Sequence, residues 1–110
     1  MIPEHARMRA EILRALGHPA RVLILDALAE GDRCVAELNE RVPIDQSGLS
    51  RHLAVLRRAG IVRDRREGMR VFYHLETPCI LKAFACALDV IESETARRTR
   101  SLRKRPTPTG

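Results

Sequence analysis

A chain of 110 residues with three cysteines and a formal net charge of +6 suits one domain with a modest core, and no apolar run approaches the roughly 20 residues that cross a bilayer. The opening Met1-Ile2-Pro3-Glu4-His5 lacks the basic-then-apolar layout of a secretory signal, so a cytoplasmic protein without a membrane span is expected; an odd cysteine count there argues against a disulfide framework and leaves reactive thiols, soft-metal ligands or buried residues. The charge is a tail effect, because residues 95–110 carry six Lys or Arg and no acid while the rest of the chain is neutral.

Residues 4–16 read as a helix with Met8, Ile12, Leu13 and Leu16 toward one side, ended by Gly17. His18-Pro19 begins a second helix, Pro occupying a first-turn position where no N–H is needed. It runs through Val22 to Leu28 toward Gly31, and its apolar character on most sides marks it as central to the core. A short third helix carries Val35, Leu38 and Val42 and stops at Pro43.

The next helix, from Asp45 to Gly60, has two unlike faces. Leu49, Leu53 and Leu56 form a stripe at helical spacing, and Gln46, Ser47, Ser50 and Arg51 fall opposite. Asp45 is placed as N-cap, Arg57 and Arg58 suit the negative end of the helix dipole, and Gly60 is placed to stop the helix. Hydroxyls, an amide and a guanidinium near one helix start are the groups that reach base edges and phosphates. Two short helices joined by a tight turn, the second polar outward, fit a helix-turn-helix.

After Gly60 the period becomes alternating. Val71, Tyr73 and Leu75 point one way and Arg70, Phe72 and His74 the other, so 70–75 reads as a strand; Ile61 to Arg66 is its partner, with Glu67-Gly68 as the turn. Residues 51–70 hold seven Arg against Asp64 and Glu67, and a basic hairpin after such a helix reads as a wing. A charged ribbon also guards a sheet edge, but that needs no particular sign, and here the sign is nearly all positive. Thr77-Pro78 starts a last helix with Ile80, Leu81, Phe84, Ala85, Leu88 and Ile91 on a wide apolar face. A four-helix core with a small sheet does not cover that surface and the first helix as well, so the terminal helices are expected to meet those of a second copy. The reading is a mainly α domain over residues 1–96, with a small β-hairpin in the order four helices, hairpin, helix, and a basic, disordered tail over 97–110.

The run Ala15-Leu16-Gly17-His18-Pro19-Ala20-Arg21-Val22-Leu23-Ile24-Leu25, then Ser50-Arg51-His52-Leu53-Ala54-Val55-Leu56-Arg57-Arg58-Ala59-Gly60-Ile61-Val62 and Arg65-Arg66-Glu67-Gly68-Met69-Arg70-Val71-Phe72-Tyr73, resembles the ArsR/SmtB family of winged-helix repressors over about residues 10–91. The resemblance implies a homodimer joined through the N-terminal and C-terminal helices. It also implies binding to a double-stranded operator with dyad symmetry, released by an inducer. The family's groove-contacting positions fall on Gln46, Ser47, Ser50, Arg51 and His52, and its wing on Arg63, Arg65, Arg66 and Arg70.

The inducer site departs from the family pattern. Arsenite-type members carry Glu-Leu-Cys-Val-Cys-Asp-Leu where this chain has Asp32-Arg33-Cys34-Val35-Ala36-Glu37-Leu38, so the second cysteine is Ala36. The Asp-x-His pair of members that bind zinc through the last helix is absent, Asp89 being followed by Val90 and Ile91. Cys79 and Cys86 share a helix face but lie about 10 Å apart along its axis, which forbids a disulfide in regular geometry and disfavours joint ligation of one ion. Cys34 stands at an N-cap position three residues before Glu37, where a helix terminus favours the thiolate. The expectation is that Cys34, Cys79 and Cys86 bind As(III) or another thiophilic ion as inducer, no cofactor being otherwise required. The alternatives are a thiol-redox or reactive-sulfur sensor, buried cysteines without a sensing role, and a winged-helix protein-interaction module. No Ser/His/Asp set, carboxylate pair or cofactor loop is visible, so no enzyme is expected.

Overall fold

The computed structural model describes residues 1–104, and the elements fall in the order α1 (Glu4–Leu16), α2 (Pro19–Ala29), β1 (Arg33–Cys34), α3 (Val35–Arg41), α4 (Gln46–Arg58), β2 (Val62–Glu67), β3 (Arg70–Leu75) and α5 (Ile80–Lys104). Two compact units result, one over residues 1–78 and one from Cys79 onward. No helix among the described residues is long and apolar enough to cross a membrane.

In the first unit the apolar positions meet where their periodicity predicts. Ile24 and Leu25 of α2, Leu38 of α3, and Leu49, Leu53 and Leu56 of α4 are each no more than 1% exposed, and burying one such side chain contributes about 1.5–3 kcal/mol. Val42, Ile61, Val62 and Leu75 close the same core. The α2 helix begins as expected, with Pro19 in its first turn and the Nδ1 atom of His18 accepting the Ala20 N–H at 3.1 Å.

The sheet differs from the expected hairpin. It has three antiparallel strands in the order β1-β3-β2, with Arg33 opposite Tyr73 and Cys34 opposite Phe72. The additional strand is two residues long, too short to show an alternating pattern. The β2–β3 turn is one residue later than expected: Glu67 pairs with Arg70, leaving Gly68 and Met69 as the two-residue loop. Gly68 has φ +62°, and among the described residues no type other than Gly has positive φ, the arrangement of a hairpin turn with Gly first.

The ends of α5 also differ. It starts at Ile80, after Pro78, and continues through Lys104, so residues 97–104 are helical where the sequence suggested a disordered tail. Residues 105–110 lie outside the described residues. Leu88, Val90 and Ile91 of α5 are exposed.

The end of α4 explains why the wing leaves it cleanly. The Gly60 N–H reaches the Arg57 carbonyl at 3.0 Å and the Ile61 N–H reaches the Leu56 carbonyl at 3.0 Å, while Gly60 has φ +79°. This is a Schellman ending, closed by the buried pair Leu56 and Ile61. A Cβ added at Gly60 meets nothing within 4 Å, so Gly60→Ala carries only the backbone cost of a left-handed conformation. Urea unfolding should therefore show a loss of about 1–2 kcal/mol; no loss would contradict this account of the turn.

Candidate nucleic-acid interface

The buried stripe of α4 fixes which side of the helix is outward. With Leu49, Leu53 and Leu56 in the core, Gln46, Ser47, Ser50 and Arg51 are exposed along the opposite flank. The turn before α4 is tied by the Asn39 side-chain amide, which donates to the Ile44 carbonyl at 3.1 Å. Asp45 then caps the helix: Oδ1 accepts the Gly48 N–H at 3.2 Å and Oδ2 accepts the Ser47 hydroxyl at 2.7 Å. These two bonds, the Ser47 one first, hold the Asp45 carboxyl below its ordinary value. Ser47 therefore spends its proton on the cap and offers a ligand only its oxygen lone pairs. Gly48, overlooked in the sequence, leaves room for the same cap: a Cβ there would sit 2.6 Å from Asp45 Oδ1, and the carboxylate would have to shift.

His52 is not part of the outward face. It is half-buried, and its Nδ1 accepts a hydrogen bond from Arg21 Nε on α2 at 3.2 Å. One residue beyond Arg51 is a turn of about 100° around the helix, enough to bring a side chain from solvent to the flank of the core.

Alternation divides the wing arginines. Arg63, Arg65 and Arg70 lie on one face of the sheet, opposite His74, Phe72 and Glu67, while Arg66 lies on the other, opposite Val71. Carboxylates already occupy two of them. Arg63 pairs with Glu76 at 2.9 Å. Arg65 pairs with Glu67 at 2.9 Å and with Asp32, and its guanidinium lies over the Phe72 ring, 5.2 Å from the centroid. Asp32 also accepts from, or pairs with, His74 Nδ1 at 2.7 Å. His74 foremost, then Arg65, holds the Asp32 carboxyl below its ordinary value. Arg51, Arg66 and Arg70 carry no ion pair among the described residues and are exposed. The four wing arginines expected to meet DNA thus divide into two already neutralised and two open to a phosphate. Asp32 escapes a reading of the sequence because it lies 42 residues from His74 and 33 from Arg65, beyond the reach of any local pattern.

The thiols are apart in character. Cys34 is buried and N-caps α3, its backbone N–H donating to Glu37 Oε1 at 3.0 Å; that bond is the main cause of the lowered Glu37 carboxyl. Cys79 and Cys86 are exposed. Among the described residues no three His, Cys, Asp or Glu side chains gather in a way that would hold a metal ion.

Comparison with known proteins agrees with this geometry. The family model described as bacterial regulatory protein, arsR family, matches residues 18–64. An HTH-type transcriptional regulator of Mycobacterium tuberculosis, Rv0081, is 43% identical over 86 residues, covering 77% of this chain and 75% of the relative. Its crystal structure superimposes with a TM-score of 0.77 over 89% of this chain and 99% of that one, at 38% identity. A biofilm growth-associated repressor of Agrobacterium fabrum is 47% identical over 66 residues, 60% of this chain and 56% of that protein. The solution structure of a homodimeric winged helix-turn-helix DNA-binding domain from Mycobacterium bovis, Mb0332, matches with a TM-score of 0.72 at 28% identity, over 84% of this chain and 86% of that one.

The Asp32–Arg65 pair generates a test. Asp32→Asn together with Glu67→Gln removes both carboxylates that compete with DNA phosphate for Arg65, so affinity for duplexes of any sequence should rise and its salt dependence should steepen, by up to about 0.9 in the log–log slope for one phosphate gained. Fluorescence anisotropy titrations across a salt series read both; an unchanged slope would show that Arg65 reaches no phosphate even when released.

Proposed function

Since the chain belongs to the ArsR/SmtB family of winged-helix transcriptional repressors, we propose that it works as a homodimer. The dimer places two copies of α4 in successive major grooves of a dyad-symmetric operator. The observation that carries this reading is the exposed Gln46, Ser50 and Arg51 flank of α4, directed by a fully buried leucine stripe. Arg51 and Gln46 supply the side chains suited to base edges, guanidinium to guanine and amide to adenine. Arg66 and Arg70, without an ion pair among the described residues, supply sequence-independent attraction to the phosphate backbone. Half-sites then lie about one helical turn apart.

A second copy is supported by apolar surface on the two terminal helices. Met8, Ile12 and Leu13 of α1 are 56%, 40% and 61% exposed, and Leu88, Val90 and Ile91 of α5 are 53%, 67% and 60% exposed. Apolar surface of this kind gains about 25 cal/mol per Å² when covered. The homodimeric state of the Mycobacterium bovis domain is in keeping with this assembly.

Cys34, Cys79 and Cys86 stand as the candidate thiol ligands of an inducer such as As(III) or another thiophilic ion: Cys34, the position matching the arsenite-type motif, is buried at the start of α3, and Cys79 and Cys86 are exposed.

Two measurements test the proposal. Against an operator selected from random duplexes, Arg51→Ala should lower specific affinity by about 1–3 kcal/mol and spare binding to random DNA, whereas Arg66→Ala should weaken both alike and flatten the salt dependence. Equal losses on both DNAs for both variants would contradict this division. In sedimentation equilibrium the native chain should have twice its 12.4 kDa mass, and Leu13→Glu should shift it toward the monomer; a native monomer would remove the dyad from the proposal.

A further inference from the structure

Arg21 joins three elements of the first unit. From α2, its Nε donates to Nδ1 of His52 on α4 at 3.2 Å, and its Nη1 donates to the carbonyl oxygens of Ala15 at 3.0 Å and Arg14 at 3.4 Å. Those carbonyls belong to the last turn of α1, where acceptors lack intrahelical partners and the dipole favours a cation. The His18 ring, at the N-cap of α2, packs against the His52 ring with centroids 4.3 Å apart and planes inclined at 44°. One planar guanidinium therefore binds the end of α1 and the flank of α4 at once. A lysine ammonium, a compact charge without the fixed fork, does not reproduce this geometry.

We propose that Arg21 and unprotonated His52 are positioning residues for DNA recognition, a joint that sets the rotation of α4 against α1 and α2 and so aims Gln46, Ser50 and Arg51. The proposal deepens the DNA-binding reading above and rests on it. It assigns His52 a role opposite to direct DNA contact. The joint needs Nδ1 as an acceptor, because a proton there would face the Arg21 Nε–H with a second donor. The groups facing His52 are all basic: His18 before α2, Arg21 on α2 and Arg51 on its own helix. Burial first, then His18, Arg21 and Arg51, holds the His52 imidazole below its ordinary value. A lowered histidine is neutral at and above neutral pH, so the joint is whole there. It fails as pH falls below the ordinary histidine value of about 6.5 and through the lowered one.

The sign separates this role from its rival. A histidine that met a phosphate would bind DNA more tightly on acidification, as would general attraction between a more cationic protein and DNA. The experiment uses the full chain and an operator duplex selected from a random pool, titrated by fluorescence anisotropy at about pH 7.5 and 5.5 and constant ionic strength. Measured against His52→Asn, which cancels the general attraction, wild-type affinity should fall by about threefold or more on acidification. His52→Asn places a non-titrating amide oxygen near the position of Nδ1 and should remove that fall. Arg21→Met should show at the higher pH the loss that the wild type shows at the lower. A wild-type response to pH equal to that of His52→Asn, or one shifted toward tighter binding relative to it, would overturn the proposal.

A DNA-free arm distinguishes failure of the joint from failure of the DNA-binding reading. Amide hydrogen exchange at about pH 7.5 should quicken several-fold across the first two turns of α4 in Arg21→Met, with β2 and β3 unchanged. Wild-type protein that retained no duplex would refute the proposed function, and the exchange pattern would still decide the joint. Equal protection of α4 in wild type and Arg21→Met would end it.

Discussion

Three leucines on one stripe of α4, Leu49, Leu53 and Leu56, decide the orientation of nearly everything that gives this protein a function. Each is buried to within 1%, on a helix that packs against α2. A helix with one such stripe has a single low-energy rotation, since turning it would expose the leucines and bury Arg51 or Gln46 without a partner. The outward chemistry of α4 is thus a consequence of its inward packing. The Asp45 cap and the Schellman turn at Gly60 then set where the helix begins and ends, and so how far its polar flank extends.

Charge on the wing is apportioned less generously than the count of arginines implies. Glu76, Glu67 and Asp32 engage Arg63 and Arg65, leaving Arg66 and Arg70 open on opposite faces of the ribbon. A guanidinium already paired at the surface must exchange one carboxylate for one phosphate, so it gains less from DNA than an unpaired one. Non-specific attraction to DNA therefore depends on which arginines lack a local partner, more than on the total. The Arg65 guanidinium over Phe72 adds a second restraint, holding that side chain along the sheet.

The helices of the first unit are also coupled by polar contacts beneath the exposed flank of α4. Arg21 reaches the α1 end and His52 together, so the helix with exposed apolar residues Met8, Ile12 and Leu13 and the helix that presents Arg51 share one guanidinium. A disturbance at α1 thereby has a short physical route to α4.

The order of the helices, the leucine stripe, the Asp45 cap, the Gly60 stop and the alternating β3 strand were all legible in the sequence, because each depends on residues within a few positions of one another, where periodicity and turn chemistry act. The resemblance to the family followed from the same local runs. What no local pattern contained was decided by contacts between distant residues. Strand β1 exists because β3 pairs with it; Arg65 is neutralised because Asp32 lies beside it in space, 33 residues away in sequence; His52 turns inward because Arg21, 31 residues earlier, donates to it. Such contacts form only once the buried stripes have brought their elements together, so the packing of the core had to be known before the partners of its surface charges were.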